Sequence, residues 1–375
     1  MKILFTGGGT GGHFYPLIAI SEKVNEIIDR EKILSLKLYY MSDSPYDKEA
    51  LFQNSITYIP VVAGKMRTYF SLLNIIDIFK TIIGVITGFI TVFLIFPDII
   101  VSKGGYASFP VLVAAKILRI PVIVHESDST PGRVNKWAGK FAVRVAISYK
   151  EVAQYFPEKT TAFTGQPIRE EILQPAKTGM VEFFKLEEGT PTIVIIGGSQ
   201  GAEVINNAII DALPELLNTY QIIHQTGQKN IDSVKERAEV VISNHKYKDR
   251  YHPMPYFNVL ATKMAAGAAT LIISRAGSAI FEFAAWGVPS IIIPITNSNG
   301  DHQRKNAFNY ARAGACSVIE EINLTPHVLS LEVNRIIGDP KKLAEMRKNA
   351  LAFATPNAAE TIAREAVDIA LSHEK

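Results

Sequence analysis

KILFTGGGTGGHFYPLIAISEKVNEII, residues 2–28, contains two changes of pattern that decide the fold. Residues 2–6 are apolar enough for a buried strand, and residues 14–28 carry apolar side chains at helical spacing. Between them TGGGTGGH (6–13) places five glycines in eight residues. Glycine lets the main chain take positive φ and lets another molecule come close to it. The helix that follows presents free N–H groups and the positive end of its dipole, which suits phosphate or developing negative charge. Gly7, Gly9 and Gly12 satisfy G-x-G-x-x-G, the dinucleotide fingerprint. However, the acid ending the second strand (Asp43 in YYMSD) lies beyond the usual ~20 residues. A plain strand-to-helix turn is the other reading. Neither explains the histidine at position 13.

The same pattern restarts at TIVIIGGSQGAEVINNAIIDAL, residues 192–213. The first half reads as strands ILFT, LKLYYMS, IIVSKGG, IPVIVHES and AVRVAIS; the second adds YQIIHQTG, TLIISRAG, PSIIIPI and CSVIE. Helical patterns separate most of them, which is α/β alternation with mainly parallel sheets. The expectation is two doubly wound, Rossmann-like domains facing a central cleft, with a seam near TGQPIREEI (164–172). The boundaries are set at 1–166 and 167–354, and residues 355–375 form a helix that returns to the first domain. Ligands of such sheets sit at the carboxyl ends of the strands. Those ends carry TGGGTGGH (6–13), SKGGY (102–106), HESDSTPG (125–132), TGQPIR (164–169), GGSQG (197–201), SRAGSAIFE (274–282) and NSNGDHQRKN (297–306).

Composition narrows the class. The chain has 375 residues, 47% hydrophobic and 20% charged, so it is globular rather than disordered. A net charge of +3 gives no ground for a nucleic-acid partner. The single cysteine, Cys316, excludes an internal disulfide and reads as inert core. No charged-then-apolar leader precedes the first strand, so secretion is not expected.

YFSLLNIIDIFKTIIGVITGFITVFLIF (69–96) stands apart. Its longest uncharged piece, 81–96, has 16 residues, short of the ~18–20 that a spanning helix needs. A span and a greasy core helix are both open readings; a helix lying partly in a membrane interface fits best. In GRVNKWAGKFAVR, Arg133, Lys136, Lys140 and Arg144 follow at intervals of 3, 4 and 4, as one basic stripe on a helix. It is either a solvated face or a contact for anionic headgroups.

Side-chain chemistry points to proton transfer and nucleotide binding. His13, on a rim otherwise bare of side chains, suits a general base, or else it caps its own helix. Glu282, one turn into the helix after SRAG, suits the two hydroxyls of a ribose. Arg169, at the seam between the two patterns, is open to a linker salt bridge. His125, Glu126 and Asp128 carry metal donors, but spacings of one and two residues at a strand end seldom converge on one ion.

GGGTGGHFYP, GGYASFP, HESDSTPGRVNK, TGQPIR, GGSQGAEVIN, SRAGSAIFE and DHQRKNA, in this order across almost the whole chain, resemble the MurG family of glycosyltransferase family 28. The resemblance implies a GT-B fold and inverting transfer of GlcNAc from UDP-GlcNAc to the MurNAc 4-hydroxyl of lipid I, undecaprenyl-diphospho-MurNAc-pentapeptide. It implies no cofactor, no metal, and a peripheral place on the cytoplasmic face of the cell membrane. Cell-wall synthesis enzymes are implied as partners, with consequences for cell shape and division. By position it implies an acceptor and membrane-binding first domain and a UDP-sugar-binding second one. Thr10, Gly11 and Gly12 fall on the donor-sugar side, and Arg169 and Ser199 near the diphosphate. Glu282 falls on the ribose, Gln303 on the sugar and Phe257 by uracil. His13 is implied as the base, with Glu126 beside it, and Tyr106 and His125 on the acceptor side. Asp128, counted with the donor contacts, stands where some members carry asparagine. Competing readings are a diacylglycerol glycosyltransferase, a UDP-GlcNAc 2-epimerase and an NAD-dependent dehydrogenase.

Overall fold

The computed structural model describes residues 1–33, 35–65, 73–198 and 201–373. They form two compact units, Met1–Arg169 with Thr355–Lys375, and Glu170–Ala354.

The first unit holds strands β1 (Lys2–Gly7), β2 (Lys37–Ser42), β3 (Ile56–Pro60), β4 (Ile99–Gly104), β5 (Val122–Glu126), β6 (Arg144–Ile147) and β7 (Thr161–Phe163). They lie parallel in the order β3-β2-β1-β4-β5-β6-β7. Every residue of β4 and β5 is buried, as in a parallel sheet covered on both faces. The Gly11–Glu31 helix covers part of this sheet with Phe14, Leu17, Ile20 and Val24. The Ala358–His373 helix joins the same core through Ile362, Ala363, Ala366, Val367 and Ala370, whose spacing is one helical face.

The second unit holds β8 (Thr192–Ile196), β9 (Gln221–Gln225), β10 (Tyr251–Met254), β11 (Ala269–Ser274), β12 (Ser290–Ile292) and β13 (Cys316–Val318). These are parallel in the order β10-β9-β8-β11-β12-β13. Cys316 is buried, and burial pushes its thiol pKa up, as an inert core cysteine requires. β3, β7 and β10 were not foreseen. Each is a short edge strand with one neighbour, and β10 contains Pro253, which cannot donate to a ladder.

The apolar segment becomes the Leu73–Ile95 helix, 23 residues and so about 34 Å long; residues 69–72 lie outside the described residues. Gly84, Gly88 and Val92, one residue per turn, form a narrow buried seat. A Cβ on Gly84 would fall 1.8 Å from the Val62 carbonyl oxygen, and one on Gly88 3.4 Å from Pro110. The rest of the helix keeps its apolar side chains outward, with Ile82, Ile86, Ile90 and Phe93 all more than half exposed. By length and apolarity it is the kind of helix that can cross a bilayer.

The basic stripe needs correction. The helix runs only from Arg133 to Ala138 and ends at Gly139, where the Phe156 ring lies 2.4 Å from the position a Cβ would take. Lys140 is therefore off the helix, and Arg144 sits on β6, paired with Glu365 at 2.6 Å. Lys136 lies over the Tyr155 ring. These four cations do not share a helix face.

Candidate active site

In the first unit the glycine loop is built around His13. Thr10 is the extended N-cap (φ −151°, ψ 160°); its carbonyl takes the His13 and Phe14 amides, while its exposed hydroxyl makes no capping bond. Gly11 and Gly12 are the first residues of the helix. His13 Nδ1 lies 2.6 Å from the Gly8 carbonyl oxygen. A carbonyl only accepts, so the proton belongs on Nδ1, and Nε2 is the ring's acceptor atom, the form a general base needs.

The SKGGY turn leans on this loop. Gly104 and Gly105 both have positive φ (79° and 85°). A Cβ on Gly104 would fall 2.3 Å from Asn135 Oδ1, and one on Gly105 3.2 Å from His13 Nδ1. Tyr106 lies across Gly9, donates its hydroxyl to Asp43, and has the Lys65 ammonium 5.3 Å from its ring centre. Burial and the Asp43 carboxylate both push the Tyr106 phenol up, so it stays a donor. The acid that ends β2, which a dinucleotide fold would turn to a ribose, is thus engaged by Tyr106.

HESD is arranged differently from expectation. Lys103, 1% exposed, donates to His125 Nδ1 at 2.8 Å and lies 3.5 Å from Gln166 Oε1. The His125 proton is therefore on Nε2, which donates to the Gly165 carbonyl at 2.9 Å. Burial first, then the Lys103 charge, drive the His125 pKa well below its ordinary value. Burial lowers Lys103 to about 8 against the pull of Glu126 and Asp128. Glu126 spends both oxygens inside its own loop: Oε1 takes the Asp128 amide at 3.0 Å, and Oε2 takes the Gly132 amide at 2.9 Å and Asn135 Nδ2 at 3.0 Å. Burial raises its pKa. His125 and Glu126 are buried, at 0% and 3% exposed, and make these bonds inside the unit; Asp128 is the partly exposed acid of HESD. Among the described residues no three His, Cys, Asp or Glu side chains gather as metal ligands. Arg169 stacks its guanidinium 4.1 Å from the centre of the Tyr15 ring, and the Tyr15 hydroxyl donates to Asp47 at 3.3 Å.

In the second unit β8 and β11 end side by side, with Ser274 Oγ donating to the Ile196 carbonyl at 2.6 Å. Gly197 and Gly198 follow β8, and Ser199 lies outside the described residues. After β11 the helix Ala279–Trp286 starts with Glu282 in its first turn, partly exposed. Arg275 is directed into the unit, donating to Glu321 at 2.6 Å and to the Ile293 carbonyl at 3.2 Å. Gln303, near the start of the His302–Arg312 helix, accepts the Ile295 amide at 3.1 Å. Phe257 is 5% exposed and packs edge-to-face on Phe184; its neighbour Tyr256 is an exposed aromatic.

Sequence reasoning named His13, Tyr106 and Glu282 but passed over Lys103, Asn135 and Gln166. The visible signal was the lysine in SKGGY, a charge at the end of an otherwise apolar strand.

Models of the glycosyltransferase family 28 N-terminal and C-terminal domains match residues 3–147 and 192–362. A curated relative from Bacillus thuringiensis (strain Al Hakam) is named UDP-N-acetylglucosamine--N-acetylmuramyl-(pentapeptide) pyrophosphoryl-undecaprenol N-acetylglucosamine transferase 3. It is 36% identical over 338 residues, covering 89% of this chain and 91% of the relative. The crystal structure of Acinetobacter baumannii MurG superposes with a TM-score of 0.73 at 23% identity, over 98% of this chain and 99% of that one. UDP-GlcNAc 2-epimerase from Neisseria meningitidis bound to UDP-GlcNAc superposes with a TM-score of 0.70 at 13% identity, over 99% of this chain and 100% of that one. The two superpositions establish the fold, a pair of Rossmann-like units of the GT-B type. The domain models and the sequence identity go further: the chain belongs to glycosyltransferase family 28 and, within it, to the MurG family.

Proposed function

We propose that the chain transfers GlcNAc from UDP-GlcNAc to the MurNAc 4-hydroxyl of lipid I with inversion, giving lipid II. The observation that carries this is the 36% identity, along nine-tenths of the chain, to a transferase named for that reaction. His13 Nε2 takes the proton of the acceptor hydroxyl as its oxygen attacks C1 of GlcNAc. The bond from C1 to the UDP oxygen breaks in the same displacement, and UDP leaves with the negative charge. Thr10, Gly11 and Gly12 hold the donor sugar beside this centre, together with Gln303. Arg169 faces the diphosphate, Glu282 binds the ribose, and Tyr106 meets the acceptor, with Asp128 at the rim between donor and acceptor. No metal is assigned: the Lys103 ammonium already occupies His125 Nδ1, the nitrogen that HESD would offer an ion. Activity is expected to survive EDTA and desalting.

The test is incubation with labelled UDP-GlcNAc, with and without a lipid I analogue, followed by product identification. A disaccharide-linked lipid confirms the reading; an epimerised free sugar without acceptor supports the epimerase that shares the fold.

The exposed apolar face of the Leu73–Ile95 helix supports a peripheral place on a membrane surface, on the cytoplasmic leaflet where lipid I is held. Its seat at Gly84 and Gly88 favours lying on the surface over spanning, because a span would strip that seat from Val62 and Pro110. Polar replacement of Ile82 and Ile86 should abolish vesicle binding while UDP binding persists. Protease protection of the helix across sealed vesicles would establish a span instead.

A further inference from the structure

We propose that Asp43 is a positioning residue for the acceptor side: its carboxylate holds the Tyr106 hydroxyl and so sets the Gly104–Gly105 turn against His13. Only the word acceptor rests on the transferase reading; the contacts themselves lie within the first unit.

Hydrogen bonds and close approaches bring neighbouring segments together. One Asp43 oxygen, Oδ2, accepts the Tyr106 hydroxyl. The other, Oδ1, accepts Ser42 Oγ at 3.2 Å and lies 3.0 Å from where a Cβ on Gly8 would be. The Gly8 carbonyl in turn accepts His13 Nδ1. Gly105 backs the His13 ring, and Tyr106 follows Gly105 in the chain. Three segments distant in sequence, the end of β2, the glycine loop and the SKGGY turn, are thereby fixed to one another around the base.

Tyr106 and Asp43 are 63 residues apart, so their bond is tertiary and cannot be replaced by local turn geometry. Without a fixed acceptor an exposed phenol rotates and bonds to water. With Asp43 in place the ring stays across Gly9, under the Lys65 ammonium. Gly9 and Thr10 are the exposed lip of the loop, so a hydroxyl delivered to His13 passes the edge of Tyr106. The Asp43 carboxylate belongs to no motif of the glycine loop or of HESD, and both its oxygens accept protein hydroxyls, from Tyr106 and Ser42, which makes its role orientation rather than proton transfer.

The test combines kinetics with hydrogen exchange. Asp43→Ala should raise the KM for a lipid I analogue about tenfold or more, the scale of a hydrogen bond to a charged group. It should leave kcat within a few-fold and the calorimetric affinity for UDP unchanged. Asp43→Asn, whose amide oxygen still accepts the phenol proton, should recover most of the loss. Tyr106→Phe should match Asp43→Ala, and the double variant should be no worse than either. Independently of turnover, amides 104–108 should exchange faster in Asp43→Ala while 277–287 do not change. Wild-type acceptor KM and wild-type exchange in Asp43→Ala, or additive losses with Tyr106→Phe, overturn the proposal. A wild-type enzyme that fails to use the lipid sinks the transferase reading, and the exchange result then decides Asp43 by itself.

Discussion

The glycine turns at the ends of β1 and β4 in the first unit and of β8 and β11 in the second differ in what surrounds some of their glycines. Each follows an inner strand of a parallel sheet and feeds a helix. In the first unit the glycines are crowded by the chain itself: a Cβ on Gly8 would meet Ala107 at 2.6 Å, and one on Gly104 would meet Asn135 at 2.3 Å. In the second unit a Cβ on Gly198 or Gly277 would meet nothing within 4 Å, although one on Gly197 would meet the Ala202 amide nitrogen at 2.9 Å and one on Gly201 the Thr226 carbonyl oxygen at 2.1 Å. Gly8 and Gly104 are explained by packing. Gly198 is required by its positive φ of 83°, whereas Gly277 is required by neither φ nor packing, and a bare backbone next to open space is what close approach of a phosphate asks for. That difference fits the proposed division, with the base in the first unit and nucleotide binding in the second.

The sharpest way to break that division is His13→Ala. It should lower kcat by roughly 10²–10⁴, the contribution of a positioned base, and leave UDP affinity intact. Near-normal turnover removes His13 from the chemistry. From the other side, Glu282→Ala should weaken UDP by about 1.5–3 kcal/mol in calorimetry, the range for a hydrogen bond to a charged group. An unchanged affinity means the carboxylate serves something else. A paired glycine experiment then compares the loops directly. Gly104→Ala places a side chain at φ 79° against Asn135 and should cost stability by about 1–3 kcal/mol. Gly277→Ala should leave the melting temperature unchanged and reduce UDP affinity. If Gly277→Ala melts early and binds UDP normally, the open space is structural and the comparison fails.

How much of this was legible follows from the range of each signal. β1, β8 and the glycine loops could be read because strand alternation and helical spacing are local. The helix expected from 133 to 144 stops at Ala138, because intervals of 3, 4 and 4 between cations say nothing about where a helix ends. Phe257 is placed beside uracil by resemblance alone, and the sequence does not say whether an aromatic at a loop faces Phe184 or solvent. The contacts of Glu126 to the Asp128 and Gly132 amides are local to its own loop, whereas Lys103, the partner of His125 at 22 residues' distance, appears only when β4 and β5 are side by side. The unforeseen residues are those whose partners lie on another strand or loop.

The smallest expected effect tests whether Lys103 in the first unit is a titrating group sealed from water. Lys103 is pulled down to about 8 by burial, from 10.5 when unfolded, although Glu126 and Asp128 oppose the shift. Between those values the unfolded chain holds a proton that the folded chain has released. Stability contributed at this site must therefore rise with pH, beginning near 8. The rise cannot continue far above 10, because the buried phenols work the other way. Tyr40 is raised to about 12 by burial and Tyr106 is raised as well, so there the folded state keeps protons that unfolded tyrosines lose. Lys103→Met removes only the first contribution. It also leaves His125 Nδ1 without its donor, a cost that does not vary across this pH range and drops out of a comparison of slopes. Denaturant unfolding from about pH 7.5 to 9 should give wild type roughly 1 kcal/mol more gain than Lys103→Met. Parallel curves would mean that Lys103 titrates as an ordinary exposed lysine, and the network around His125 would then not be sealed from water.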